Sequence, residues 1–131
     1  MDEKQKEQAE EWFERGKHDI EMAQLLCDKR GYIDIITLHI QQALEKYMKG
    51  FLVYNEREYK RTHDLTLLLN MIGESNKNLK EFSDLCNIAS KFYIEDRYPP
   101  GQLPEYSYEE IERILKQALS MIRKIKQMIN Q

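Results

Sequence analysis

The sequence predicts an all-α fold, an up-and-down four-helix bundle with one additional short helix, in a single domain over residues 1–131. Apolar residues recur at intervals of three and four through most of the chain, and no segment of useful length alternates with a period of two. All three prolines fall within residues 99–104, so one stretch breaks the helical pattern. Substantial helices joined by mostly brief connections are typical of a bundle.

The first two helices follow from the apolar spacing. It predicts a first helix from about Glu3 to Lys29, and Gly31 is expected to adopt the left-handed conformation that ends it. A second helix is predicted from about Tyr32 to Tyr54. Gly50 lies in its last turns, where glycine costs about 1 kcal/mol relative to alanine. Either this helix frays there or another helix approaches its backbone closely.

Capping residues predict where the remaining helices begin. Thr62 is the expected N-cap of a short third helix, with Asp64 in its first turn and Gly73 at its end. The fourth and fifth helices each follow a capping box, in which a serine or asparagine precedes a glutamate by three residues. The two boxes are Asn78 with Glu81 and Ser107 with Glu110.

The charge and the distribution of apolar residues argue against several classes of protein. Twenty Lys and Arg residues oppose 23 Asp and Glu residues, a net charge of −3, and both signs are mixed along the chain. This composition does not support general nucleic-acid affinity, although it leaves room for a local basic patch. The first residues are too charged for a signal peptide, and no apolar run is long enough to span a membrane. We expect a cytoplasmic protein.

The sequence also lacks the common cofactor and metal motifs. Cys27 and Cys86 lie far apart without metal-binding spacing, so we expect two buried, inert thiols in a reducing compartment. There is no Gly-rich phosphate loop, no GxSxG and no HExxH in the chain. We therefore expect neither a cofactor nor a metal.

The second helix carries a polar stripe beside its apolar one. His39, Gln42, Lys46 and Lys49 are spaced three, four and three apart, which places them on one side of the helix. A pair of lysines one turn apart can contact a phosphate, with the glutamine donating a hydrogen bond. The same pattern is typical of an ordinary solvated helix face.

The chain around the third helix and the prolines offers further candidates. His63 can act as a base, a proton donor or a phosphate ligand, or can simply form local hydrogen bonds at the start of a helix. Arg97 suits a phosphate or carboxylate, or pairs with its acidic neighbours. Tyr98 can stack on a base or pin the proline loop to the bundle. The candidate ligand-binding residues are His39, Gln42, Lys46, Lys49, His63, Asp64, Arg97 and Tyr98.

Four segments together resemble the HEPN domain, a small helical nucleotide-binding module. The resemblance covers the chain from about Trp12 to Ile125. Its segments share the order and the helices of the family's motifs. They are Arg15 to Ala23, Gln41 to Lys49 (QQALEKYMK), Thr62 to Leu65 (THDL), and Tyr93 followed by Arg97-Tyr98-Pro99.

The resemblance implies a frequently dimeric bundle, often encoded beside a minimal nucleotidyltransferase as half of a two-component or toxin–antitoxin-like pair. Some relatives are ribonucleases that use an arginine, four to six residues and then a histidine. Arg57 and His63 fit that spacing, but it arises often by chance, and Arg57 lies in a connection rather than on a helix. If the chain is a ribonuclease, Arg57, His63 and Arg97 are the expected catalytic residues.

The leading hypothesis is an accessory protein, not an enzyme, that binds a nucleotide or phosphate-bearing ligand and pairs with a minimal nucleotidyltransferase. One alternative is a metal-independent endoribonuclease toxin, and another is a structural dimerisation module without a ligand. A homodimer is expected because part of the second helix's apolar surface lies outside its main stripe. That surface comprises Ile33, Met48, Leu52 and Val53.

Overall fold

The computed structural model describes residues 2–74, 76–93 and 105–129, which form five α-helices and one short 3-10 helix without any strand. None of the described helices is both long and apolar enough to cross a membrane. The α-helices are α1 (Glu3–Asp28), α2 (Ile33–Tyr54), α3 (Leu65–Gly73), α4 (Ser83–Ser90) and α5 (Tyr108–Ile129), and the 3-10 helix is Lys77–Phe82. The predicted all-α bundle is confirmed.

Helix α2 lies at the centre of the bundle and contacts each of the other α-helices. It therefore buries most of its circumference, including Met48 and Leu52, which are almost completely inaccessible. The expectation that these two residues belong to a dimer surface is wrong, because α2 uses them in the core of its own chain. Ile33 and Val53 are half-buried.

Helices α1 and α2 end in the same hydrogen-bonded motif, and glycine does not supply its left-handed residue. Arg30 (φ 55°) and Glu56 (φ 57°) adopt the left-handed conformation. After α1, the Gly31 N–H donates to the Leu26 carbonyl at 2.7 Å and the Arg30 N–H donates to the Cys27 carbonyl at 3.1 Å. The assignment of the left-handed cap to Gly31 was thus one residue too late. The satisfied carbonyls offset the roughly 1–2 kcal/mol cost of this conformation for a residue with a Cβ atom.

The N-cap of α3 is Asp64 rather than Thr62. The Asp64 carboxylate accepts hydrogen bonds from the backbone N–H groups of Thr66 (3.0 Å) and Leu67 (3.2 Å). Thr62 forms a turn before the helix, where its hydroxyl accepts from the Asp64 N–H at 3.0 Å. The predicted N-cap was wrong by two residues. Thr62 and Asp64 are both good capping residues, and only Asp64 lies where the helix begins. The predicted end at Gly73 is confirmed.

The two predicted capping boxes have different outcomes. The box at the start of α5 is confirmed, since the Ser107 hydroxyl accepts from the Glu110 N–H and the Glu110 carboxylate accepts from the Ser107 N–H, both at 3.1 Å. The box at Asn78 and Glu81 is wrong, because these residues lie inside the 3-10 helix. A 3-10 helix aligns residues three apart, and Leu79 and Phe82 thereby both enter the core.

Candidate functional site

Glu45 is the centre of a buried polar network. It lies on α2 with only 4% of its surface exposed. Its carboxylate receives hydrogen bonds from Lys49 Nζ (3.0 Å), Gln41 Nε2 (3.1 Å) and His63 Nδ1 (2.7 Å). A carboxylate is tolerated inside a protein when donors of this kind replace its water. The network therefore joins the middle of α2 to the segment that precedes α3.

Lys49 is held on two sides. Its ammonium pairs with Glu45, and it also lies 5.6 Å from the ring centroids of both Trp12 and Tyr59. These distances are within the range of cation–π attraction. A lysine that the sequence presented as a surface cation is thus a buried link between the carboxylate and two aromatic rings.

The imidazole of His63 has a defined orientation. Its Nδ1 bonds to Glu45, its ring stacks on Tyr93 at a centroid distance of 3.7 Å and an angle of 17°, and its side chain is about two-fifths exposed. Because an ionised carboxylate only accepts, Nδ1 carries a proton and Nε2 is the nitrogen left for solvent or a ligand. Gln41 supports the same segment by donating to the His63 carbonyl at 3.0 Å.

A cavity of about 700 Å³ opens beside this histidine, between the segment entering α3 and the end of α4. Arg61 and Lys91 contribute cationic groups to its wall, and neither forms an ion pair with a described residue. Most other lining side chains are polar. The cavity is lined by Arg61, Thr62, His63, Asp64, Thr66, Asn87, Ser90, Lys91 and Tyr93.

The N-terminus of α3 faces this region, but its backbone donors are already occupied. The Asp64 carboxylate accepts from the N–H groups of Thr66 and Leu67. The N–H of Leu65, the first residue of the helix, donates to the Ser90 hydroxyl at 2.9 Å. The Thr66 hydroxyl donates to the Asn87 amide oxygen at 2.7 Å. An anion in the cavity would therefore bind to side chains rather than to the helix end. Asp64, a candidate ligand-binding residue, serves as the cap.

A second buried carboxylate pairs with two other residues of the polar stripe. Asp19 on α1 bonds to His39 Nδ1 at 2.8 Å and forms an ion pair with Lys46. Gln42 donates to the Gln41 amide oxygen at 2.7 Å, which brings it next to the Glu45 network. Both lysines of the stripe are therefore paired with carboxylates. An anion at this stripe would have to compete with Asp19 or Glu45 for them.

Arg57, one of the two candidate catalytic arginines, does not line the cavity that contains His63. Arg57 donates to the Met71 carbonyl and forms an ion pair with Glu74 at 2.9 Å, so its guanidinium binds the end of α3. It also lines a different cavity from the one that contains His63. Arg97 and Tyr98 lie outside the described residues.

Sequence reasoning did not select Glu45, Gln41, Arg61 or Lys91 as site residues. The sequence did contain a signal for Glu45 and Gln41. Together with Lys49 they are spaced four apart, and most of the residues around them on this helix are apolar. Polar residues in such a place must be paired with one another or with a partner from another segment. Nothing in the local sequence distinguishes Arg61 and Lys91 from other surface cations.

The two cysteines have no part in this site. Both are free and buried, as expected, and burial raises the pKa of the Cys86 thiol to about 12. Burial also raises the pKa of Cys27. A thiol with a raised pKa is a poor nucleophile. The described residues contain no group of three His, Cys, Asp or Glu side chains suited to a metal ion.

Comparison with known proteins places these features in context. The HEPN domain family model matches residues 9–128. Two solved structures share the fold at 22% sequence identity: TT1696 from Thermus thermophilus, and ST0689, an archaeal HEPN homologue. The TM-scores are 0.78, over 92% of this chain and 97% of TT1696, and 0.74, over 93% of this chain and 98% of ST0689. No curated protein matches the sequence significantly.

Proposed function

The chain belongs to the HEPN domain family, and on that premise we propose that it binds a nucleotide or another phosphate-bearing ligand in the cavity beside His63. The observation that carries this proposal is the cavity itself, which Arg61, Lys91 and His63 line together. Cationic and neutral donors around such a space suit an anion with several acceptor oxygens.

The aromatic side chain in the wall suits the rest of a nucleotide. Tyr93 stacks on His63, so the two rings form a small aromatic surface next to the cationic groups. Aromatic surfaces accept nucleobases with little sequence preference. The same cavity therefore offers contacts to both a phosphate and a ring.

The proposal is tested by calorimetry with AMP, ADP and ATP. A charge-assisted hydrogen bond contributes about 1.5–3 kcal/mol, so Arg61→Ala and Lys91→Ala should each weaken binding about tenfold or more. Lys116→Ala removes an exposed cation of α5 outside the cavity and should leave affinity unchanged. Equal affinity in the wild type and both cavity variants, or no binding of any of the three nucleotides, would overturn the proposal. The contribution of Arg97 to ligand binding stays a prediction.

A metal-independent endoribonuclease is the second candidate, and the His63–Glu45 pair is the observation that favours it. A histidine that acts as a general acid or base needs a fixed tautomer with one ring nitrogen left for the substrate. The hydrogen bond between Nδ1 and Glu45 fixes the tautomer of His63 and leaves Nε2 for that role. Arg61, rather than Arg57, is the described arginine that shares the cavity.

We expect the accessory role, and therefore little or no RNA cleavage by the purified protein. Comparison with His63→Ala separates contaminating activity, which would survive the substitution, from true catalysis, which should fall about 10²-fold or more. Robust cleavage lost in a folded His63→Ala variant would replace the binding proposal with the ribonuclease.

We also propose that the protein acts in the cytoplasm with a minimal nucleotidyltransferase, as one half of a two-component or toxin–antitoxin-like pair. Family membership supports the pairing, and the two buried free thiols suit a reducing compartment such as the cytoplasm. If a nucleotidyltransferase gene lies beside this one, the two proteins should co-purify when expressed together from their native operon. Separate elution of the two proteins would contradict the pairing without affecting the ligand proposal.

A further inference from the structure

We propose that a second cavity, between the first half of α1 and the end of α2, binds an uncharged planar heteroaromatic ring. This cavity has a volume of about 390 Å³, which lies within the usual range of small-ligand sites. It shares no lining residue with the cavity beside His63. Its walls are Gln8, Glu11, Trp12, Arg15, Val53 and Tyr59.

Two aromatic rings and one aliphatic side chain form the apolar part of this cavity. Trp12 and Tyr59 meet edge to face, with ring centroids 5.9 Å apart and planes at 86°. Val53 adds an aliphatic wall. A planar ring can pack against this surface over a large area, and aromatic pairs contribute about 0.5–1.5 kcal/mol beyond the area that they bury.

The aromatic rings are positioned before any ligand arrives. The Lys49 ammonium lies 5.6 Å from both ring centroids and is itself held by Glu45. The backbone of Trp12 is close to α2, because a Cβ atom added to Gly50 would lie 3.0 Å from the Trp12 Cβ. A site whose side chains are already ordered loses less entropy on binding.

The rim of the cavity favours an uncharged ligand with both donors and acceptors. Arg15 and Glu11 form an exposed ion pair at 2.8 Å, so their charges offset each other. Gln8 adds an amide that can both donate and accept. The charge of Lys49 behind the rings is likewise balanced by Glu45. This arrangement differs from the His63 cavity, where Arg61 and Lys91 favour an anion.

Adenosine is a suitable probe, because it carries a neutral heteroaromatic ring without a phosphate. Trp12 is the only tryptophan of the chain, so its fluorescence reports on this cavity. We expect a saturable change in fluorescence with adenosine and none with ribose or inorganic phosphate. Base–aromatic contacts contribute about 1–3 kcal/mol, so Tyr59→Ala should weaken calorimetric affinity for adenosine between about fivefold and a hundredfold.

Several variants make the result specific. Tyr59→Phe keeps the ring and should bind adenosine nearly as the wild type does. Lys116→Ala removes an exposed side chain outside this cavity and should have no effect. Lys91→Ala should weaken AMP binding at the other cavity while leaving the adenosine response intact, so failure of one site is distinguishable from failure of the other.

Two outcomes would overturn the inference. One is an unchanged Trp12 fluorescence and no calorimetric heat up to about 10 mM adenosine, a concentration that corresponds to negligible affinity. The other is wild-type affinity in a Tyr59→Ala variant whose helical circular dichroism is retained. Should Tyr59→Ala fail to fold, the surface variants Gln8→Ala and Arg15→Ala decide the matter, since unchanged affinity in both would exclude this cavity.

Discussion

At the residue scale, Asp19 on α1 and Glu45 on α2 are buried carboxylates with the same arrangement of partners. Each one bonds to the Nδ1 atom of a histidine and to the ammonium of a lysine. The lysine balances the buried charge and the histidine is left with its Nε2 available. His39 and His63 are thus oriented by buried carboxylates rather than by solvent.

The first prediction concerns the buried pair of Glu45 and Lys49. Glu45→Gln leaves the Lys49 ammonium buried without a charged partner, so we expect a loss of about 3 kcal/mol in the free energy of unfolding, measured with urea. Adding Lys49→Met removes the unpaired charge, and the double variant should be more stable than Glu45→Gln alone. The exposed ion pair of Glu11 and Arg15 is the control. Glu11→Gln should lower the free energy of unfolding by less than about 1 kcal/mol. Equal losses for the two glutamine variants would show that Glu45 is not a structural centre.

The second prediction concerns Tyr47 at high pH. Burial, with added effects of the Glu21 and Glu14 carboxylates, raises the pKa of Tyr47 to about 12 from its ordinary value of 10.0. The unfolded chain therefore releases this proton at lower pH than the folded protein does. The stabilisation is present in full below pH 10 and is lost as the pH rises towards 12.

The test compares the wild type with Tyr47→Phe, which cannot ionise at this position. Both proteins should lose stability above pH 9, because burial raises the Cys86 pKa in each of them. The wild type should lose on the order of 1 kcal/mol more than the variant between pH 7 and 11 in urea unfolding. Parallel pH profiles for the two proteins would contradict the assigned burial effect.

At the scale of the helices, the close approach of α1 and α2 determines the shape of the second cavity and the position of Lys49. Two glycines allow this approach. A Cβ atom on Gly16 would lie 2.8 Å from the Tyr47 ring, and one on Gly50 would lie 2.6 Å from the Phe13 ring. The open question at Gly50, fraying or close approach, is thereby answered in favour of close approach.

The third prediction is that Gly50→Ala destabilises the protein by about 1–2 kcal/mol, although alanine is the better helix former by about 1 kcal/mol. The reason is the contact with Phe13 and with Trp12, whose Cβ cannot move independently of α1. Gly73→Ala is a matched control, because its added Cβ would meet only the flexible side chain of Lys80, with Cε at 3.0 Å. We expect that variant to be as stable as the wild type or slightly more so. Urea unfolding compares the two, and a stabilised Gly50→Ala would contradict the close approach.

At the scale of the whole molecule, the described surface retains an apolar region near the connection between α1 and α2. Leu25 is about half exposed, and Met22 and Ile35 are about two-fifths exposed. Tyr32, between the two helices, is 80% exposed. A group of exposed large apolar side chains marks a contact with other molecules. We propose that a second copy of the chain covers them, which replaces the surface expected from Met48 and Leu52.

The fourth prediction is a homodimer at micromolar concentration, observed by light scattering or sedimentation. Leu25→Glu should shift the protein to the 15.8 kDa monomer without loss of helical content, because it places a charge within the self-associating surface. Ile88→Glu changes an equally apolar exposed residue on α4 and should leave the dimer intact. A wild type found only as the monomer would contradict the proposed homodimer.

The sequence alone determined the helices, their main apolar stripes and the family resemblance. These follow from neighbouring residues: apolar side chains at helical intervals, capping residues such as Ser107 with Glu110, and short motifs in a fixed order. Errors arose where two local solutions compete, as with Thr62 and Asp64 at the start of α3. There the error was a shift of two residues, whereas the capping box predicted at Asn78 and Glu81 lies inside a 3-10 helix.

The tertiary structure alone decided which polar residues meet. His63 lies 18 positions from Glu45, and Lys46 lies 27 positions from Asp19, so no local pattern reports either contact. The sequence pattern of a lysine and a glutamate on a helix is the same whether the two side chains are solvated or paired inside the protein. Burial and distance distinguish the two cases, because a charge that loses water must gain a partner. Those quantities exist only after α2 has been enclosed by its neighbouring helices.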